Sequence, residues 1–246
     1  MKDLLIITAA NYWYTEYQNL WEYCIKKAYP EYDSHCYIAP QTSAPFYAAC
    51  YRLLIDPGKY KYVYMTDIDM MILREERSLL EFHLNEMKDT GLCYSNTMRR
   101  GEPEAKERLT GLHFATREWY DKTCETRKKY LHMLNNGEIG NNRFDDEKML
   151  MQICKNADLG LPGQRGQMVI RHHGIHLGTL RAYQNHSRNT METQLLMRVS
   201  KKQAIQWLEF YKDSEFLKII KNIKERQIRI QLDRLYSFCR RKENER

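Results

Sequence analysis

Apolar residues along this chain follow two periods. Leu4 to Thr8 (LLIIT) is the short continuous run that a strand buried on both faces needs, and Ala9-Ala10-Asn11 ends it with small residues. Tyr17, Leu20, Trp21, Cys24, Ile25 and Ala28 then recur at i, i+3, i+4 spacing, predicting a helix over Tyr14 to Tyr29 that Pro30 stops. His35 to Ile38 reads as a second strand, so the chain opens as β-α-β. Ser43 to Asp56 predicts a second helix, ended by Pro57-Gly58 and interrupted on its apolar side by Arg52. Tyr62 to Met65 is again a buried parallel strand. It runs into Thr66-Asp67-Ile68-Asp69, and a second apolar run, Met70 to Leu73, follows.

Further on, Leu79 to Lys88 predicts a helix and Gly91 to Ser95 a strand. Asn96 to Lys106 is a charged loop whose Arg99 and Arg100 are either solvated or grip an anionic substrate. Leu109 to Thr116 reads as one strand with Gly111 inside it, where a ligand or a backbone can approach closely. Arg117 to Asn135 is helical, and Asn136 to Asn142 is a loop. Arg143-Phe144-Asp145-Asp146-Glu147 then leads into a helix over Lys148 to Cys154. After a short strand, Met168 to Ile170, a loop from Arg171 to Arg181 holds His172, His173 and His176 together with Gly174 and Gly178. Val199 to Tyr211 and Glu215 to Arg241 read as helices.

The totals narrow the function classes. A chain of 246 residues with 43% hydrophobic content can bury one sizeable core, or one domain with an appendage. No stretch approaches the roughly 18 apolar residues of a membrane span, and the apolar run after Asp3 is too short for a secretory segment. The seven cysteines are scattered without a C-x-x-C pair, predicting free thiols in a reducing compartment rather than zinc or a disulfide framework. The net charge of +7 is concentrated at the end: from Ser214 to Arg246 ten Lys/Arg stand against five Asp/Glu. There Phe216, Ile219, Ile220, Ile223, Ile230 and Leu235 recur at near-helical spacing among basic residues. Such a pattern suits an anionic membrane surface, a helix packed on the rest of the chain, or a partner helix in a homodimer.

The chemistry centres on Asp67 and Asp69. Two carboxylates between apolar runs are costly to bury unpaired. At i, i+2 spacing they can close on one oxygen-preferring cation, Mg²⁺ or Mn²⁺, and share it with a phosphate. The bland alternative is an acidic turn. An acidic helix N-terminus at Asp146 and Glu147 is ordinarily favourable dipole capping. No dinucleotide fingerprint, phosphate loop or H-E-x-x-H occurs, which disfavours dehydrogenases, P-loop NTPases and zinc hydrolases. Two rivals are a Mg²⁺-dependent nucleotidyl- or phosphotransferase and a basic nucleic-acid-binding module. The first lacks a Gly-rich loop, and the second leaves the D-x-D strand and the His/Gly loop unexplained.

Tyr51-Arg52-Leu53, the strand YVYMTDIDMMIL, the segment with Gly111, Asp146-Glu147…Leu150 and IHLG with Arg181 occur in that order. Together they resemble the GT-A glycosyltransferases, and among them glycosyltransferase family 8, over roughly Leu4 to Arg181. Asp146 to Leu150 is also similar to a segment of the family 6 retaining enzymes. Leu109 stands where family 8 has Asn, and Glu147 where it has Gln. The resemblance implies a mixed α/β GT-A catalytic domain over 1–198, with a basic helical extension over 199–246. It also implies transfer of a hexose, galactose or glucose, from a UDP-sugar to a saccharide or lipid-linked saccharide with the configuration retained. Bacterial surface polysaccharide or lipopolysaccharide synthesis by a cytoplasmic enzyme, peripheral on the membrane, would be its setting. On this resemblance Asp67, Asp69 and His176 hold the metal, and Thr8, Ala9, Ala10, Asn11, Tyr12, Arg52, Asp67, Ile68, Gly178 and Arg181 bind the donor. Asp146 and Glu147 are the catalytic carboxylates, and Gly111, His113 and His173 line the acceptor side.

Overall fold

A computed structural model of the protein describes residues 2–40, 46–99, 107–139, 144–163, 173–180 and 199–244. The fold is mixed α/β, with a five-stranded sheet flanked by helices. The chain divides into two compact units: Met1–Tyr12, Glu31–Asp67 and Arg77–Arg171 form the first, and Trp13–Pro30, Ile68–Glu76 and His172–Arg246 the second.

In the first unit β1 (Leu4–Ala10) lies between β2 (Asp33–Ile38) and β3 (Tyr62–Met65), parallel to both. β8 (His113–Thr116) runs antiparallel to β3 and to β5 (Tyr94–Ser95), giving the order β2-β1-β3-β8-β5. Every residue of β1 is buried, as its unbroken apolar run requires. Leu5, Ile7, Val63 and Met65 share a core with Leu53 and Leu54 of α2 (Tyr47–Leu54), with Trp119 of α4 (Arg117–Lys122), and with Leu150 and Ile153 of α6 (Asp145–Asn156).

Four sequence expectations are corrected in this unit. The single strand over Leu109 to Thr116 is two elements. Arg108–Leu109 (β7) pairs with Met98–Arg99 (β6) as a hairpin, and only His113–Thr116 joins the sheet. Between the two elements the Thr110 hydroxyl donates to Asn96 Oδ1 at 3.0 Å and to the Leu112 carbonyl at 2.9 Å. The helix over Arg117 to Asn135 breaks at Thr123, whose hydroxyl donates back to the Trp119 carbonyl at 2.7 Å, and α5 (Cys124–Asn135) follows. The helix α6 starts at Asp145 rather than Lys148, so Asp145, Asp146 and Glu147 occupy its first turn. Finally, the helix α3 (Leu79–Thr90) covers the expected Leu79 to Lys88 and ends in the left-handed cap Gly91, so the strand expected from Gly91 to Ser95 is only Tyr94–Ser95. Ser43 to Pro45, Arg100 to Lys106 and the strand expected at Met168 to Ile170 lie outside the described residues.

The second unit holds α1 (Gln18–Ala28), the two-stranded ladder of β4 (Met70–Ile72) and β9 (Gly174–His176), a 3-10 turn Leu177–Leu180, and helices α7 (Lys201–Phe210), α8 (Ser214–Asn222) and α9 (Arg226–Asn244). Leu20, Trp21 and Cys24 of α1 are buried at the predicted spacing, and Cys24 Sγ meets Met71 Sδ at 3.9 Å. An aromatic cluster closes the other end, with Trp207 edge-on to Phe216 at 5.5 Å and Tyr23 tilted against Phe216 at 5.3 Å. The one helix expected over Glu215 to Arg241 is two. Glu16 Oε2 accepts from the amides of Lys224 and Glu225, at 2.6 and 2.9 Å, just where α9 begins. Phe216, Ile223 and Leu235 are buried inside this unit, while Lys218, Lys221, Lys224, Arg226 and Arg229 stay exposed. Among the described residues no helix is long and apolar enough to cross a membrane. None of the seven cysteines is in a disulfide.

Candidate metal and donor site

The carboxyl ends of parallel strands are where an open α/β sheet leaves room for a ligand. Here that edge is fixed by side-chain locks. Thr8 Oγ1 donates to the Thr66 carbonyl at 2.9 Å, and the Thr66 amide donates to Ile7 O at 2.9 Å, so β3 is held where it turns into Asp67. Thr8, Ala9 and Ala10 close β1 and Asn11 is buried behind them. Tyr12 is exposed, with a left-handed backbone at φ 49°.

Arg52, the residue that broke the apolar side of its helix, is only 3% exposed. It does not snorkel to water. Its Nη1 lies 2.5 Å from Asp67 Oδ1, its Nη2 lies 3.5 Å from Asp146 Oδ2, and Nη2 also donates to the Gly111 carbonyl at 3.4 Å. The buried guanidinium offsets the desolvation of Asp146 and pairs with Asp67; removing the cation alone would leave Asp146 a buried charge without its partner. Gly111 is required by close approach, because a Cβ there would lie 2.7 Å from Arg52 Nη2. Burial pushes the Asp146 carboxyl up to about 6, against the opposing pull of Arg52.

Glu147 points elsewhere. It is 8% exposed and accepts from Arg108 Nε at 2.5 Å and from the Gly111 amide at 3.3 Å, with Arg99 Nη1 at 3.5 Å. The Arg108 guanidinium lies over the Phe144 ring, 3.9 Å from its centroid, and Phe144 holds φ 74° just before the helix. The sequence reading left Arg99 either solvated or gripping a substrate and did not single out Arg108. The only local signal was an arginine beside Leu109 at a buried strand position.

The two histidines expected on the acceptor side are core residues. His113 is fully buried, its ring 4.7 Å from Trp119 and 5.1 Å from Tyr94. His173 is buried as well, at φ 45°, and its carbonyl accepts from the Leu73 amide at 2.9 Å.

In the second unit β9 continues directly into His176. The loop expected from Arg171 to Arg181 is therefore partly strand, with Met70 opposite His176. That register brings His176 Nε2 to 3.1 Å from Asp69 Oδ1, and the Leu177 amide donates to the Asp69 carbonyl at 2.9 Å. Gly178 leaves a gap beside this pair: a Cβ there would lie 2.5 Å from Asp69 Oδ2 and 2.8 Å from His176 Nε2. A carboxylate and an imidazole around a side-chain-free cradle fit a divalent cation. Ile68 is buried, and Arg171, His172 and Arg181 lie outside the described residues. The chain crosses from the first unit to the second between Asp67 and Ile68, inside the D-x-D itself. In comparisons with known proteins, the chain matches no family model and no curated sequence.

Proposed function

We propose that this protein is a metal-dependent glycosyltransferase of the GT-A type, moving a hexose from a UDP-sugar to a saccharide acceptor with retention. The observation that carries the reading is the D-x-D at the end of β3, with Asp67 tied to Arg52 and Asp69 meeting His176 beside Gly178. Asp69 and His176 would hold Mn²⁺ or Mg²⁺. When bound, the cation would act as a Lewis acid on the departing diphosphate. The chain's own residues do the rest. Thr8 to Tyr12 offer backbone and a buried Asn at the strand end for the nucleoside. Arg52 holds Asp67 and Asp146 in fixed geometry, so little reorganisation is needed as charge develops. Asp146, ionised at neutral pH, stabilises an oxocarbenium-like state of the sugar.

A panel of nucleotide-sugars with Mn²⁺ tests this. At about a hundredfold excess over Kd, the matching donor should add roughly 2.7 kcal/mol, raising Tm by several degrees, and EDTA should reverse the shift. Oligonucleotides should leave Tm unchanged. NMR of the product should show an α linkage from an α-linked donor; a β linkage would rule out retention.

The exposed basic face of α8 and α9 supports peripheral binding to anionic membrane, at about 1 kcal/mol per Lys or Arg near the surface. Because Phe216 and Leu235 belong to the core, the appropriate variant is charge reversal rather than truncation. Lys218→Glu with Lys221→Glu and Lys224→Glu should abolish co-sedimentation with phosphatidylserine vesicles at low salt. A wild-type protein that stays in the supernatant would end this proposal.

A further inference from the structure

Asp146 and Glu147 are adjacent, yet their surroundings differ in kind. Asp146 keeps a 13% exposed side chain and shares one guanidinium with Asp67. The Glu147 side chain is 11% exposed, and its two oxygens meet Arg108, Arg99 and the Gly111 amide instead. Those three partners lie on both strands of the β6–β7 hairpin and on the turn that follows it.

Gly111 is gripped from both sides of its backbone. Glu147 accepts from its amide, and its carbonyl accepts from the same Arg52 Nη2 that lies near Asp146. A displacement of Glu147 therefore moves Gly111, and with it the guanidinium that orients Asp67 and Asp146. A Cβ at Gly111 would lie 2.7 Å from Arg52 Nη2, so the guanidinium sits directly against this backbone. Phe144 adds a cation–π contact that holds the Arg108 guanidinium.

We infer that Glu147 is a positioning residue, which clips the β6–β7 hairpin to the start of α6 and sets Gly111 and Arg52. Asp146 is then the one carboxylate of the pair that meets the sugar. This inference rests on the sugar-transfer reading above, and divides that site's work between two neighbouring acids.

Kinetics of three variants decide it. Asp146→Asn should lower kcat by about 10³-fold or more with donor KM little changed, as expected for an interaction made in the transition state. Glu147→Gln should raise donor KM by about tenfold and lower kcat by less than that, because Gln keeps the shape and one acceptor but loosens the clip. The double variant Arg108→Met with Glu147→Met replaces the buried pair by apolar groups and should recover Tm, while donor KM stays raised because the Gly111 amide has lost its acceptor. A readout without substrate accompanies them: the Gly111 amide should exchange with solvent at least about tenfold faster in Glu147→Gln.

A folded Glu147→Gln that loses kcat about 10³-fold at unchanged KM would overturn the inference and make Glu147 the reacting carboxylate. So would a double variant with wild-type donor KM, or Gly111 exchange that does not change. If the wild type binds no nucleotide-sugar with Mn²⁺, the sugar-transfer reading fails instead, and the exchange measurement still decides whether Glu147 holds Gly111.

Discussion

Asp69→Ala is expected to remove metal-dependent transfer, lowering kcat by at least about 10³-fold, while the protein stays folded. The fold should survive because the contact that holds the 3-10 turn beside Asp69 uses the Asp69 carbonyl, not its side chain. What the substitution removes is a carboxylate that is 3% exposed and 3.1 Å from His176. Asp69→Asn separates charge from shape: it can still accept from His176 but brings no negative charge, so Mn²⁺ affinity should fall nearly as far as in the alanine variant. Gly178→Ala tests the same cradle from the other side. Its added methyl would press on Asp69 Oδ2 and His176 Nε2, and should weaken Mn²⁺ binding about tenfold or more without touching a ligand. Calorimetric titration with Mn²⁺ reads all three. Wild-type turnover that persists in excess EDTA, or Asp69→Ala with normal turnover, would remove the metal from the mechanism.

Much of this arrangement was legible in the sequence wherever an apolar period met a polar interruption. The run LLIIT had to be buried on both faces, and it is the second strand of the sheet. Arg52 on an apolar helix face, just ahead of a D-x-D strand, pointed to the contact with Asp67 that the structure contains. Three kinds of feature could not be read. Two-residue strands such as Met98–Arg99 and Arg108–Leu109 are too short to carry a period, so the hairpin and the partners of Glu147 stayed hidden. The break between α8 and α9 is made by Glu16, some two hundred residues away, and no local signal marks it. The glycine-rich stretch at Gly174 to Gly178 resembled a loop, although its first three residues pair with Met70 to Ile72. The burial of His113 stayed hidden for a different reason. A histidine in a strand says nothing about burial until its neighbours are known, and here they are Trp119, Tyr94 and Asn96.

That burial makes His113 the source of a large acid sensitivity. Asn96 Oδ1 accepts from the Thr97 amide and from both the amide and hydroxyl of Thr110, so its Nδ2 must face the ring and donate to His113 Nδ1 at 3.0 Å. The imidazole is therefore held neutral with Nδ1 as acceptor, and burial pushes its pKa down to about 3 from the usual 6.5. Protonation would add a buried charge and turn the Asn96 bond into two opposed donors. The folded-state value lies below the unfolded one, so between the two the unfolded chain binds a proton that the native state refuses. Stability is then complete above about pH 6.5 and falls as pH drops, by up to about 1.4 kcal/mol per unit, or about 4 kcal/mol near pH 3.5. That is a large fraction of the roughly 5–15 kcal/mol by which domains are stable. The raised pKa of Asp146 acts in the opposite sense over part of this range, since there the native state takes up the extra proton. The comparison must therefore be between proteins that share Asp146. Urea unfolding of wild type and His113→Gln at pH 7, 5 and 4 provides it. The variant should be less stable at pH 7, through lost packing, and the gap should narrow by about 1.4 kcal/mol per pH unit below 6.5. Parallel curves for the two proteins would mean that His113 takes up its proton as readily in the fold as in the unfolded chain.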